Sequence, residues 1–105
     1  MGQPIGTKPD EGDALMLQLD CIAEEFEEFM AEQPDTVEEL KELADLVFVC
    51  YQYAALMGYD LDEAMRRVFI SNMSKLGDDG KPVLNEYGKV TKGPNYQPPD
   101  LSDLI

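Results

Sequence analysis

Two stretches with an apolar residue every third or fourth position, parted only by Gln33-Pro34-Asp35, constrain this chain more than anything else in it. In the first, Leu15, Leu19, Ile22, Phe26 and Met30 follow the period of an amphipathic helix. Asp13 is placed to cap its start. Gln33-Pro34 ends it, because proline disfavours helical conformation in the residue before it. Thr36 opens the second stretch with Glu39 three residues on, the spacing of a capping box. That helix runs to about Met57, where Gly58 suits a left-handed stop. So short a connection leaves the two helices as antiparallel neighbours. Asp60 and Glu63 repeat the start signal and predict a third helix through Leu76 to Gly77. Beyond it glycine and proline punctuate the chain, no helical period survives, and a short hairpin is expected around Glu86-Tyr87-Gly88. Residues 1–12, with three glycines and two prolines, read as an extended arm. The expected architecture is an all-α antiparallel helix bundle in a single domain spanning 1–105, with the arm at 1–12, three helices over 13–77 and an irregular tail over 78–105.

With 105 residues, 44% of them apolar, the chain supports one core. The second helix is apolar on more than one side. Leu40, Leu43, Val47, Tyr51 and Ala54 share one face, while Val49 and Leu56 point roughly the other way at ~100° per residue. Three helices of this size rarely enclose one of their number, so the second face is expected to pack against another copy of the chain. Phe26, Phe29, Phe48, Tyr51, Tyr53 and Phe69 are read as mostly core, and Met16, Met57, Met65 and Met73 as gap-filling residues.

Charge excludes several functions. The chain has 22 acids and 8 bases, a formal net charge of -14, and no histidine. Its field repels phosphate backbones and anionic membranes, so neither direct nucleic-acid binding nor membrane association is expected. Without histidine there is no Ser-His or Cys-His pair, no imidazole base and no imidazole zinc ligand. No apolar run reaches the ~20 residues of a membrane helix, and no secretory signal is visible. The expectation is a soluble cytoplasmic protein with Cys21 and Cys50 reduced.

The acids are unevenly placed. Eleven fall between Asp20 and Asp45, against one base, Lys41, whereas six of the eight bases lie between Arg66 and Lys92. A charge run is ordinarily a solvated helix face. Here Glu25 and Glu28 are three apart on the first helix, and Glu42 and Asp45 repeat that spacing on the second, off the apolar stripe in each case. Between antiparallel neighbours these four carboxylates can converge. At ~6 Å and an effective dielectric of ~20, each like-charged pair costs roughly 2–3 kcal/mol, so the group must splay into water, take up protons or bind cations. Oxygen donors alone suit the hard cations Mg²⁺, Mn²⁺ or Ca²⁺. A ferritin-like site lacks its histidines, and Asp78-Asp79-Gly80 lacks the ligand pattern of an EF-hand. Mg²⁺ is commonly shared with substrate phosphates, and Arg66, Arg67, Lys75, Lys89 and Lys92 are candidates to hold phosphate.

Glu24-Glu25-x-x-Glu28 followed after thirteen residues by Glu42-x-x-Asp45, with Asn72-Met73-Ser74-Lys75-Leu76 and a tail reading Gly93-Pro94-Asn95-Tyr96-Gln97-Pro98-Pro99-Asp100-Leu101, resembles the all-α nucleoside triphosphate pyrophosphohydrolases. These are the MazG-like and phosphoribosyl-ATP pyrophosphohydrolase-like enzymes. The resemblance covers nearly the whole chain. It implies a four-helix bundle completed by assembly into a homodimer or homotetramer. It implies Mg²⁺-dependent hydrolysis, with Mn²⁺ a possible substitute, of a nucleoside triphosphate to the monophosphate and pyrophosphate, by attack of metal-activated water at the α-phosphorus. By the same resemblance Glu25, Glu28, Glu42 and Asp45 are metal ligands and Glu24 orients or deprotonates the water. Asn72 and Lys75, and more weakly Lys92 and Tyr96, contact the nucleotide. A deoxynucleoside triphosphate is the expected substrate. Relatives often carry a further helix before the segment matching Gly2-Gln3-Pro4, inside which this chain begins. The competing expectation is a non-catalytic acidic helical module that mimics nucleic acid or binds a basic protein.

Overall fold

The computed structural model describes residues 12–105. The arm expected over 1–12 therefore lies almost wholly outside the described residues. The fold is all-α, with helices α1 (Gly12–Ala31), α2 (Val37–Met57) and α3 (Leu61–Met73), a two-stranded ribbon of β1 (Val83–Leu84) and β2 (Val90–Thr91), and a short 3-10 turn at Ser102–Leu104. The chain divides into two compact units at Tyr59/Asp60.

The first unit packs α1 against α2. Their corner is built from local hydrogen bonds. Thr36 Oγ1 accepts from the Glu39 amide at 3.0 Å and donates to the Gln33 carbonyl at 2.7 Å. The Glu39 carboxylate reaches back to the Asp35 amide at 3.0 Å, one residue earlier than the reciprocal bond of a capping box. Asp35 takes a left-handed φ of 65°, which its short polar side chain tolerates. At the far end Gly58 adopts φ 76° and α2 stops as expected, with the Tyr59 amide bonded to the Ala54 carbonyl at 2.8 Å.

Which faces meet differs from the sequence expectation. On α1 the protected positions include Leu15, Gln18, Ile22, Glu25 and Phe29; on α2 they include Glu39, Glu42, Leu46, Val49, Tyr53 and Leu56, and Ala54, expected on the face of Leu40 and Val47, is buried too. Gln18 Nε2 donates to the Val49 carbonyl at 3.1 Å, tying these faces together. The face bearing Val49 and Leu56 is thus turned inward, while Leu40, Leu43 and Val47 stay exposed, as do Leu19, Phe26 and Met30. The aromatic residues divide accordingly. Phe29 and Tyr53 are half-buried, whereas Phe26, Phe48 and Tyr51 are exposed rather than core, because a packed helix pair covers only one side of each helix; Phe69 on α3 is exposed as well. Met16 on α1 and Met65 and Met73 on α3 are exposed rather than gap-filling.

In the second unit Asp60 caps α3, its side chain accepting from the Glu63 amide at 3.1 Å. The helix ends at Met73, short of the expected Gly77. The segment after it pairs with the tail instead: Leu76 bridges Pro82, and the Gly93 amide bonds to the Lys75 carbonyl at 3.0 Å. A Cβ at Gly93 would stand 2.5 Å from that carbonyl oxygen, so only glycine permits the approach. The hairpin forms where expected. Val83 pairs with Thr91 and Leu84 with Val90, and the Asn85 carboxamide accepts from the Tyr87 and Lys89 amides inside the turn. The rest of the tail is stitched to α3. Buried Ser71 donates to the Gln97 carbonyl at 2.8 Å, and Arg67 holds Asp103 at 2.6 Å.

Candidate active site

Position along each helix determines which acids meet. Glu25 follows Ile22 by three residues and Gln18 by seven, so it shares their inward face; Glu42 and Asp45 straddle the matching face of α2. One carboxylate oxygen from each of Glu25, Glu42 and Asp45 lies within 4.8 Å of the other two. The acids therefore sit within the helix–helix face rather than off it. Glu28, one turn along α1, adjoins the group. Its carboxyl is pushed above its usual range, first by the charge of Glu25, then by desolvation, then by Glu42.

Lys41, which the sequence reading did not assign to the site, is the local counter-charge. Its Nζ lies 2.9 Å from Asp45 Oδ2 and 3.5 Å from Glu42 Oε2. The hydrogen bond to Asp45 raises its pKa above that of an ordinary lysine. The i, i+4 spacing of Lys41 and Asp45 was the signal that could have found it.

Neutralisation is incomplete. Glu25 Oε1 and Glu42 Oε1 are buried and accept no hydrogen bond, although a buried acceptor left unsatisfied is costly. Orphaned carboxylate oxygens beside a third carboxylate, with no nitrogen or sulfur donor, fit a hard divalent cation. Glu25, Glu42 and Asp45 could hold it, with Glu28 at the edge. Glu24 is exposed on α1 and is not one of the three clustered acids.

The second unit gathers residues that are distant in sequence. Lys75 Nζ lies 5.9 Å and Lys92 Nζ 5.1 Å from the centroid of the half-buried Tyr96 ring, both within cation–π range. The Gly93–Lys75 backbone bond makes this convergence possible, and Asn95 anchors the loop by donating to Asp78 at 2.9 Å. Asn72 is exposed in the last turn of α3, its carbonyl accepting from the Lys75 amide. Arg66 and Arg67 are less available to phosphate than expected. Both bind Glu63, whose carboxyl falls to about 2 through those two hydrogen bonds, and Arg67 also holds Asp103 and the Asp100 carbonyl. A groove of about 220 Å³ beside Arg67, Ser71, Ser74, Gln97 and Pro98 was not foreseen, since it exists only because the tail folds back on α3.

The fold is all-helical, and three carboxylates from two antiparallel helices cluster where they could hold a metal ion. Residues 1–72 match the phosphoribosyl-ATP pyrophosphohydrolase family, and the chain belongs to that family, within the MazG-like all-helical superfamily. Membership places it among the pyrophosphohydrolases, a typically metal-dependent group of hydrolases. No curated protein matches the chain significantly. Among the described residues no helix is long and apolar enough to cross a membrane.

Proposed function

We propose that this protein is a cytoplasmic, Mg²⁺-dependent enzyme that hydrolyses a nucleoside triphosphate, in particular a deoxynucleoside triphosphate, to the monophosphate and pyrophosphate, with Mn²⁺ able to replace Mg²⁺. The observation that carries the reading is the cluster of Glu25, Glu42 and Asp45, with one oxygen of each within 4.8 Å of the others, in which Glu25 Oε1 and Glu42 Oε1 are buried and unpartnered. A merely solvated acidic face, as a nucleic-acid mimic would present, gives its carboxylates water and has no reason to bury two acceptors unpaired.

In this reading Glu25, Glu28, Glu42 and Asp45 would hold the cation. When bound, the divalent ion neutralises phosphate charge and lowers the pKa of water beside it. Glu24 orients the attacking water and accepts its proton. The water oxygen bonds to the α-phosphorus, the bond from that phosphorus to the bridging oxygen breaks, and the electron pair leaves with pyrophosphate. Lys75 and Lys92 supply positive charge toward phosphate, Tyr96 offers a ring face to the base, and Asn72 offers a carboxamide to sugar or phosphate.

We also infer that the chain works as a homodimer or homotetramer. Leu40 and Met30, 66% and 64% exposed, belong with Leu19, Phe26, Leu43 and Val47 to apolar faces that a second helix pair would cover.

The test is pyrophosphate release from a panel of ribo- and deoxynucleoside triphosphates with and without EDTA. Release that requires metal is expected, and Asp45→Asn and Glu28→Gln are expected to abolish it while circular dichroism shows an unchanged helical fold. Metal-independent turnover, release of single phosphates, or normal turnover in both variants would refute the assignment.

A further inference from the structure

Lys41 occupies an unusual place. It precedes Glu42 on α2, and its ammonium contacts Asp45 Oδ2 at 2.9 Å and Glu42 Oε2 at 3.5 Å. Two of the three carboxylates that fit a divalent ion therefore already share a monovalent cation carried by their own helix. The oxygens it takes are not the orphaned ones, which are Glu25 Oε1 and Glu42 Oε1. Its side chain is 65% exposed, so the ammonium has open solvent into which to withdraw. The four-carbon stem of lysine is flexible and its charge compact, which makes such a withdrawal inexpensive.

We propose, building on the reading of the acids as a divalent-cation site, that Lys41 is a tethered competitor. With no divalent ion present it lies across Glu42 and Asp45 and offsets part of their repulsion. A divalent ion held by the same carboxylates repels the ammonium and drives it toward solvent, even where the two cations touch different oxygens. Lys41 thereby lowers the affinity of the cluster for divalent ions and limits how much the metal-free protein suffers from its own charge. It is a positioning residue acting through the acids, not a group that touches the reacting atoms.

The readout is binding rather than turnover. Mn²⁺ alone is titrated calorimetrically into the full chain, into Lys41→Met, which keeps the length and removes the charge, and into Lys41→Arg, which keeps the charge. Melting temperatures are taken for all three in EDTA. Lys41→Met is expected to bind Mn²⁺ roughly three- to tenfold more tightly and to melt lower in EDTA, from the size of exposed ion pairs and of cation–cation repulsion. Lys41→Arg is expected to stay within about twofold of the wild type, since charge carries the effect. Equal affinity in wild type and Lys41→Met would overturn the competitor role and leave the metal site standing. Equal tightening in both variants would overturn it as well, by showing that geometry rather than charge matters. Absence of Mn²⁺ binding in all three proteins would overturn the metal reading and this inference together.

Discussion

Replacing Glu42 by glutamine separates electrostatic cost from metal binding in one substitution. Glu42 is central to the cluster, its side chain only 14% exposed, with ligand-capable oxygens of Glu25 and Asp45 within 4.8 Å. At that separation each like-charged pair costs about 0.9 kcal/mol at the dielectric of water and about 3.5 kcal/mol at an effective dielectric of 20. The exposed Lys41 ammonium, 3.5 Å from Glu42 Oε2, offsets part of this repulsion. Asp45 is itself 41% exposed, which draws the balance toward the screened limit. Glu42→Gln should therefore stabilise the metal-free protein by about 1–3 kcal/mol, raising its melting temperature in EDTA by at least about 4 °C for a chain of this size. In Mg²⁺ the order should reverse. The wild type gains RT ln(1 + [L]/Kd), about 2.7 kcal/mol at one hundred times Kd, while the variant has lost a ligand and gains far less. Two thermal melts, one in EDTA and one in excess Mg²⁺, read the crossing directly. A variant that melts below the wild type in EDTA would show that the acids do not repel as argued, and one that gains as much from Mg²⁺ as the wild type would show that Glu42 is not a ligand.

Two further outcomes are expected. Glu63 is depressed from 4.5 to about 2 by hydrogen bonds from Arg66 and Arg67, so its contribution is fully present above pH 4.5 and is lost as pH falls toward 2; Glu63→Gln should flatten the stability–pH curve across that window, and a carboxyl-carbon NMR titration of Glu63 near 4.5 would contradict it. Sedimentation at micromolar concentration should give a dimer or larger species that Val47→Glu, on the exposed face of α2, converts to monomer; a wild type that sediments as a clean monomer would refute the assembly.

Much of this fold was legible because it is written in local chemistry. Thr36, Gly58 and Asp60 each act within one helical turn, and each marks a boundary in the structure as the sequence led one to expect. The i, i+3 spacings of Glu25 with Glu28 and of Glu42 with Asp45 suggested convergence of four acids, of which Glu25, Glu42 and Asp45 cluster. The choice of face was not legible. On α2 both Leu40-Leu43-Val47 and Leu46-Val49-Leu56 satisfy a helical period, and periodicity cannot rank two apolar stripes on one helix. Acids inside a helix–helix contact also run against the expectation that carboxylates avoid burial, so an apolar stripe read from the sequence does not reveal the face they occupy. The end of α3 and the gathering of Lys75, Lys92 and Tyr96 depend on the close backbone approach at Gly93, a pairing between residues far apart in sequence that no window of local pattern contains.

The corner at Gln33–Thr36 has a consequence for how this chain can vary. Thr36 and Glu39 lock the start of α2 to the connection, and Glu42 follows only six residues after the cap. At 3.6 residues per turn, one residue inserted between them swings everything downstream by about 100° and carries Glu42 and Asp45 away from Glu25. That short span works as a ruler. Insertions are tolerable in the hairpin loop at Glu86-Tyr87, where they lengthen an exposed turn, but between Thr36 and Glu42 the count of residues is itself part of the chemistry.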